Sequence, residues 1–483
     1  MKKHVYLLVL IFVLTLSVRL FFSFQSEYFA DDGAYSHLRV IESIKENKEF
    51  VVYDPLSYGG RNIVKPQLFH GIMALLSFVP FYSKIIPELF ISFIPILVYL
   101  IAAELTKDKT ASLITAFMSS LIPIVFKVTL NQVSPYSLAI PTILLMVYSL
   151  VRINETKFLV LFVAMSFLLP WISPSSFLFM LSLLFYIVII VSESMNISGL
   201  KKEAVTFSFF TMFLLNLVIF RKVLLQYGAS SINQNIPQKV FEYYFSNFSL
   251  SESLFIIGLI PLALGIFGIY IGLHDNKNRD DVILLSSPIV AALVLLMLKM
   301  IDLSTGILFL GIFLTLTSAL SIRKILNYFS VTKLSVHYPL FVALFVFLIL
   351  LTGAFSSLYY YENDVEKYNI EDLNYLVENS DSNAVIISAF NEGNIVSYFS
   401  ERKNFVDSDF LLAPNPVQRL NEAEIVYKTF SESKALEIMK RNKVKYILLS
   451  DNTKRTYDLD KILYVDDRSC FEHERESIYK IVC

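Results

Sequence analysis

The stretch Tyr28-Phe29-Ala30-Asp31-Asp32-Gly33-Ala34-Tyr35-Ser36-His37-Leu38-Arg39 combines two adjacent carboxylates, a glycine, a histidine and an arginine. Carboxylate oxygens suit hard divalent cations, and a guanidinium fork suits phosphate. Glycine beside the acids permits tight backbone geometry. Asp31 and Asp32 are therefore candidate metal ligands, and His37 and Arg39 candidate substrate-binding residues. The same residues equally suit an interfacial loop with solvated charges and a capping aspartate. Farther on, Tyr53-Asp54-Pro55-Leu56-Ser57-Tyr58-Gly59-Gly60-Arg61 carries Asp-Pro and Gly-Gly, which mark a structured turn. A connector suits this segment better than catalysis. Glu242 and Glu252 lie in a later polar stretch. Either suits a second metal ligand or a general base, although a plain surface role is simpler.

Composition says what must position these residues. The chain has 483 residues, 55% hydrophobic and only 17% charged, with a mean hydropathy of +0.59. Soluble domains carry roughly 25% charge, so the deficit indicates a membrane protein. Lys and Arg number 41 against 42 Asp and Glu, which leaves no basic surplus for nucleic acid. The two cysteines, Cys470 and Cys483, exclude a disulfide framework and a four-cysteine zinc site; whether they pair is open.

A membrane helix needs about 17–25 apolar residues. Runs at 5–24, 86–105, 111–128, 137–151, 157–171, 175–192, 203–221, 254–273, 282–298, 303–322 and 338–358 make about eleven spans. Residues 67–82 contain His70 and Pro80 and read as an interfacial or re-entrant helix. Met1-Lys2-Lys3 followed by an apolar core resembles a signal peptide, but no small-residue cleavage pattern follows. An uncleaved first span is the better reading. Basic residues fall in alternate short loops, which puts the N-terminus in the cytoplasm of a cell-membrane protein. Loops 25–66 and 222–253 and a tail at 359–483 then share the outer face. The expected domains are a transmembrane domain over 1–358, carrying both loops, and an extracytoplasmic α/β domain over 359–483. In the tail, 370–379, 417–430 and 432–442 have helical spacing, with Ser431 as a cap. Residues 384–388, 444–449, 462–465 and 477–482 read as strands of a mostly parallel sheet.

In order along the chain, these features resemble the catalytic subunit of single-subunit archaeal and bacterial oligosaccharyltransferases, within the GT-C membrane glycosyltransferases. Asp31-Asp32-Gly33 after the first span is similar to that family's first acidic motif. Asp54-Pro55-Leu56-Ser57-Tyr58, Gly60 and Pro66-Gln67-Leu68-Phe69-His70 are similar to the rest of its first outer loop. Ser388-Ala389-Phe390-Asn391-Glu392-Gly393 stands where the family has Trp-Trp-Asp-Tyr-Gly, followed by Tyr398, Arg402 and Asp407. The resemblance implies a polyprenyl-(pyro)phosphate sugar donor, a protein or lipid acceptor, and a divalent Mg or Mn. The ion would be held by Asp32, the expected catalytic residue, with Asp31 and Glu242 or Glu252. Asp54, Glu392 and Arg402 join the expected substrate-binding residues.

The sequence departs from the family in two places. Loop 129–136 has no carboxylate where a second acidic motif is expected, and the Trp-Trp-Asp-Tyr-Gly position keeps only Gly393. The alternative is a catalytically degenerate homologue that binds a lipid-linked glycan or a partner. A transporter ranks last, because no inverted repeat is visible. Asn247-Phe248-Ser249 is a glycosylation sequon or a chance match.

Overall fold

Every apolar run read from the sequence folds as helix, but the helices differ in kind. The computed structural model describes residues 2–228, 240, 242, 250–275, 278–364, 369–465 and 470–483. Asn247-Phe248-Ser249 and most of the loop around Glu242 lie outside them. Among the described residues, six helices are long and apolar enough to cross a membrane, or up to eight if each of two bent pairs is one span. Three further apolar helices, Tyr136–Val151, Thr156–Ile172 and Ser176–Ser192, are shorter. Length and composition alone therefore do not reach the eleven spans expected. Residues 67–82 hold an eight-residue helix, Leu68–Leu75, far too short to span.

The chain divides into two compact units. One comprises Met1–Tyr28, Lys65–Phe220 and Phe245–Asp364; the other comprises Phe29–Val64, Arg221–Tyr244 and Val365–Cys483. Most of loop 25–66 thus folds in the same unit as the tail.

Among the described residues, the regular elements of the first unit are all helices. Its centre is Leu303–Val331, enclosed by other helices along its apolar length. Asp302 starts this helix by accepting the Thr305 amide at 2.8 Å, which satisfies an orphan donor of the first turn. The run expected as one span over 254–273 is broken. Ser251–Ile257 and Leu259–His274 meet at 80° because Gly258, at φ +94°, takes a conformation that side chains avoid. A milder bend of 43° separates Lys109–Ser119 from Pro123–Thr129, where Pro123 opens the second helix.

The second unit is built on a five-stranded sheet. A small hairpin pairs β1 (Tyr53–Asp54) with β2 (Arg61–Asn62). The main sheet contains β3 (Val385–Ile387), β4 (Lys403–Asn404), β5 (Val444–Leu448), β6 (Phe471–Arg475) and β7 (Ile478–Ile481), in the order β4-β3-β5-β7-β6. β4, β3 and β5 run parallel, while β7 and β6 run antiparallel. Helices Ile370–Asn379, Pro416–Lys428 and Glu432–Arg441 lie where spacing put them. Ser431 caps the last by accepting the Lys434 amide. The strand expected over 462–465 is instead a turn. There Tyr464 reaches inward to donate to the Val426 carbonyl at 2.8 Å, so its apolar neighbours pack without a ladder. Cys470 and Cys483 form a disulfide across the end of the β6–β7 hairpin.

Candidate functional site

In the sheet-bearing unit, Asp31 and Asp32 have opposite fates. Asp31 is exposed and precedes helix Asp32–Asn47. Asp32, the first residue of that helix, is buried. Its Oδ1 accepts the Ile395 amide at 2.9 Å, and its Oδ2 accepts the Asn394 side-chain amide at 2.8 Å. Ile395 belongs to the first turn of helix Gly393–Ser400, whose own preceding residue, Glu392, makes no cap to it. Asp32 supplies that cap from a distant part of the sequence. Burial pushes the Asp32 carboxyl well above its ordinary range; Asp31 and Asp407 add to the shift, and the two hydrogen bonds oppose it.

Asn394 extends the network. Its Oδ1 accepts Arg39 Nη2 at 3.0 Å, and Arg39 Nη1 is 2.9 Å from Asp54 Oδ2. Asp54 Oδ1 also accepts the Leu56 amide at 2.9 Å, as a turn-forming aspartate does. Ser57 donates to Asp407 Oδ2 at 2.6 Å, Arg61 Nε donates to Ser57 Oγ at 2.6 Å, and Asn404 donates to the same Asp407 oxygen at 2.9 Å. Burial raises the Asp407 carboxyl against the pull of Arg61. Gly393 is required where it stands: a Cβ there would lie 2.1 Å from the Val406 carbonyl oxygen.

The other expected substrate-binding residues have committed partners. Glu392 is buried and accepts Ser450 at 2.6 Å, together with Thr453 and Asn452. Arg402 closes the end of helix Ile370–Asn379 by donating to the Val377 carbonyl at 2.7 Å and the Ser380 carbonyl at 3.0 Å. His37 is half-buried on helix Asp32–Asn47, and Glu242 is exposed. The fold therefore brings Asp32, Arg39 and Asp54 into one network with Asn394, and leaves Glu392 and Arg402 in separate ones.

Among the described residues, no group of three or more His, Cys, Asp or Glu side chains is arranged to hold a metal ion. Asp32 has both oxygens engaged by N–H donors, in surroundings that favour its neutral form. A cation needs carboxylates that are charged and open. Among the described residues, the donors around Asp32 do not form the Mg or Mn site implied by the resemblance.

In the helical unit, a cavity of about 440 Å³ lies where both bent helix pairs break. Its wall is apolar, from Leu121, Pro123, Phe255, Ile260 and Phe355 among others, and Glu252 is the one carboxylate among the described residues that line it. A larger groove of about 810 Å³ in the other unit runs between helices Pro416–Lys428 and Glu432–Arg441 and contains none of the expected site residues.

Sequence reasoning missed Asn394, for which no local signal exists, and read Ser57 and Arg61 only as parts of a structured turn. It also missed Arg19 and Glu88, for which one did: each is a charge inside an apolar run, where charge is costly.

No family model and no curated protein sequence matches the chain. Solved structures do. The archaeal oligosaccharyltransferase AglB from Archaeoglobus fulgidus, in complex with an inhibitory peptide and a dolichol-phosphate, is 13% identical with a TM-score of 0.66, over 92% of this chain and 69% of that one. ArnT from Cupriavidus metallidurans bound to undecaprenyl phosphate is 11% identical with a TM-score of 0.57, over 98% of each chain. The Archaeoglobus fulgidus enzyme in complex with zinc and sulfate is 12% identical with a TM-score of 0.57, over 90% of this chain and 67% of that one. At such identities the likeness shows the fold: a GT-C-like helical membrane region with a sheet-bearing C-terminal region.

Proposed function

We propose that this integral membrane protein is a glycosyltransferase that takes a sugar or oligosaccharide from a polyprenyl-(pyro)phosphate donor and passes it to a protein or other acceptor on the outer face. The apolar cavity beside Glu252 carries the reading. An isoprenoid tail gains little by leaving one apolar medium for another, so a bilayer protein selects it by shape and packing. Two broken helices make such a shape, bent by 43° and 80°. The dolichol-phosphate and undecaprenyl phosphate of the AglB and ArnT structures support a lipid phosphate as the ligand class here.

Two carboxylates are exposed for chemistry. Glu252 stands at the cavity, and Asp31 on the first outer loop. A carboxylate repels phosphate, so each is better suited to the acceptor. There it would take a proton as the acceptor atom attacks the sugar carbon and the lipid phosphate departs. Asp32, the residue expected to be catalytic, is assigned instead to holding the loop.

A second reading is the degenerate homologue, which the Asp32–Asn394–Arg39 network favours by turning the acidic motif into a structural joint. Turnover decides between them. Purified protein in nanodiscs is given labelled sugar on polyprenyl monophosphate or pyrophosphate, with peptide and lipid acceptors, with and without chelator. Transfer by wild type that is lost in Glu252→Gln or Asp31→Asn supports the enzyme. Donor binding with no transfer under any condition overturns it in favour of the binding protein.

A further inference from the structure

Arg19 and Glu88 form an ion pair of 2.6 Å with both side chains 1% exposed, inside apolar helices Lys2–Ser23 and Tyr82–Ile91. Neither lipid nor water reaches it. A buried pair is a poor source of net stability, since well-packed apolar residues serve as well or better. In a membrane segment such charges mark a functional constraint.

What the pair holds is specific. Arg19 Nη2 donates to Thr129 Oγ1 at 2.8 Å, and the guanidinium lies 5.0 Å from the centre of the Phe126 ring. Glu88 Oε1 accepts the Asn131 amide at 2.8 Å, at a residue with φ of +51°. Asn131 Nδ2 in turn donates to the Tyr28 carbonyl at 2.8 Å. Phe126 and Thr129 belong to helix Pro123–Thr129, and Asn131 lies two residues past its end. The helix has seven residues, too few to be stable alone. Its first residue, Pro123, lines the cavity assigned to the donor. Its last turn is what Arg19 and Glu88 grip.

We infer that Arg19 and Glu88 are positioning residues for the donor: the dry ion pair fixes helix Pro123–Thr129, and through it one wall of the lipid cavity. The carboxylate that loop 129–136 lacks in its own sequence reaches it from Glu88. This inference rests on the proposed function for the identity of the ligand, but not for the positioning itself.

The test uses the full chain in nanodiscs and two readouts, amide hydrogen exchange and binding of undecaprenyl phosphate. Arg19→Met/Glu88→Met removes both charges and keeps apolar bulk, so neither charge is stranded. The expected result is a melting temperature near wild type, faster exchange confined to residues 124–131, and lipid phosphate binding weaker by about tenfold. The swap Arg19→Glu/Glu88→Arg should recover part of both. Unchanged exchange at 124–131 overturns the positioning role whether or not lipid phosphate binds. Faster exchange with unchanged affinity overturns the link to the cavity. Faster exchange in a protein whose wild type binds no lipid phosphate upholds the positioning and instead removes the proposed function.

Discussion

Asp32 accepts the backbone amide of Ile395 at 2.9 Å, from 363 residues away in sequence. A first-loop aspartate is thereby the N-terminal cap of a helix in the C-terminal region. The adjacent Asp31 is exposed. The motif that reads as one acidic pair is two residues in different settings, one a buried cap and one exposed at the surface.

The two settings separate by mutation. Asp32→Ala strands the Ile395 amide and the Asn394 side chain in a dry site, at a cost of about 1–3 kcal/mol. Asp31→Ala should cost under about 0.5 kcal/mol, as an exposed substitution does, yet reduce transfer. Denaturation of the purified protein alongside turnover checks both. A stable Asp32→Ala protein would remove the capping role.

The acid side of the stability profile carries the same signature. Burial raises Asp32 and Asp407 above their ordinary value of 3.8, and Glu392 above 4.5. Their folded forms therefore hold protons that the unfolded chain has released. Stability should fall as pH rises from about those ordinary values through the raised ones, and be fully spared below them. Most proteins with paired carboxylates show the opposite slope. Asp32→Asn should flatten the fall, and denaturation midpoints from pH 4 upward would record it.

How much of this was legible depended on range. Apolar runs and amphipathic spacing are local, so the helix over 370–379 falls where it was read and the run 86–105 within four residues of Tyr82–Thr106, while the run 303–322 starts with helix Leu303–Val331 but stops nine residues short of its polar end. The sheet was only half legible. β3 and β5 announce themselves as buried-strand runs, and β7 as strand-like. β4 is two residues, Lys403–Asn404, and β6 is the polar edge strand Phe-Glu-His-Glu-Arg, so neither has a buried-strand pattern. The break at Gly258 hides in an apolar run, because hydropathy does not register φ. The role of Asp32 was the least legible, since its partners lie at the other end of the chain. The family resemblance picked out Asp32 as a metal ligand; in the structure its carboxylate accepts the Ile395 amide at the start of helix Gly393–Ser400.

Gly258 provides a check on the cavity. At φ +94° an alanine is strained, and its Cβ would sit 3.2 Å from Pro261 Cδ at the cavity wall. Gly258→Ala should destabilise the helical unit by about 1–3 kcal/mol and weaken undecaprenyl phosphate binding. Loss of stability with unaltered affinity would dissociate the bend from the ligand.

Orientation is testable through the Cys470–Cys483 bridge. Disulfides persist in oxidising compartments, so a tail on the outer face, as the basic residues in alternate loops led us to expect, should keep this one closed. In intact cells, a membrane-impermeant maleimide should label neither cysteine until an impermeant reductant is added outside. Labelling should then appear, and be absent in Cys470→Ser/Cys483→Ser. Closing a loop of this size contributes about 3 kcal/mol in the chain-entropy account, so reduction should also lower the tail's unfolding midpoint. Cysteines that label only after the membrane is permeabilised would place the tail inside, and the proposed outer-face transfer would fall with it.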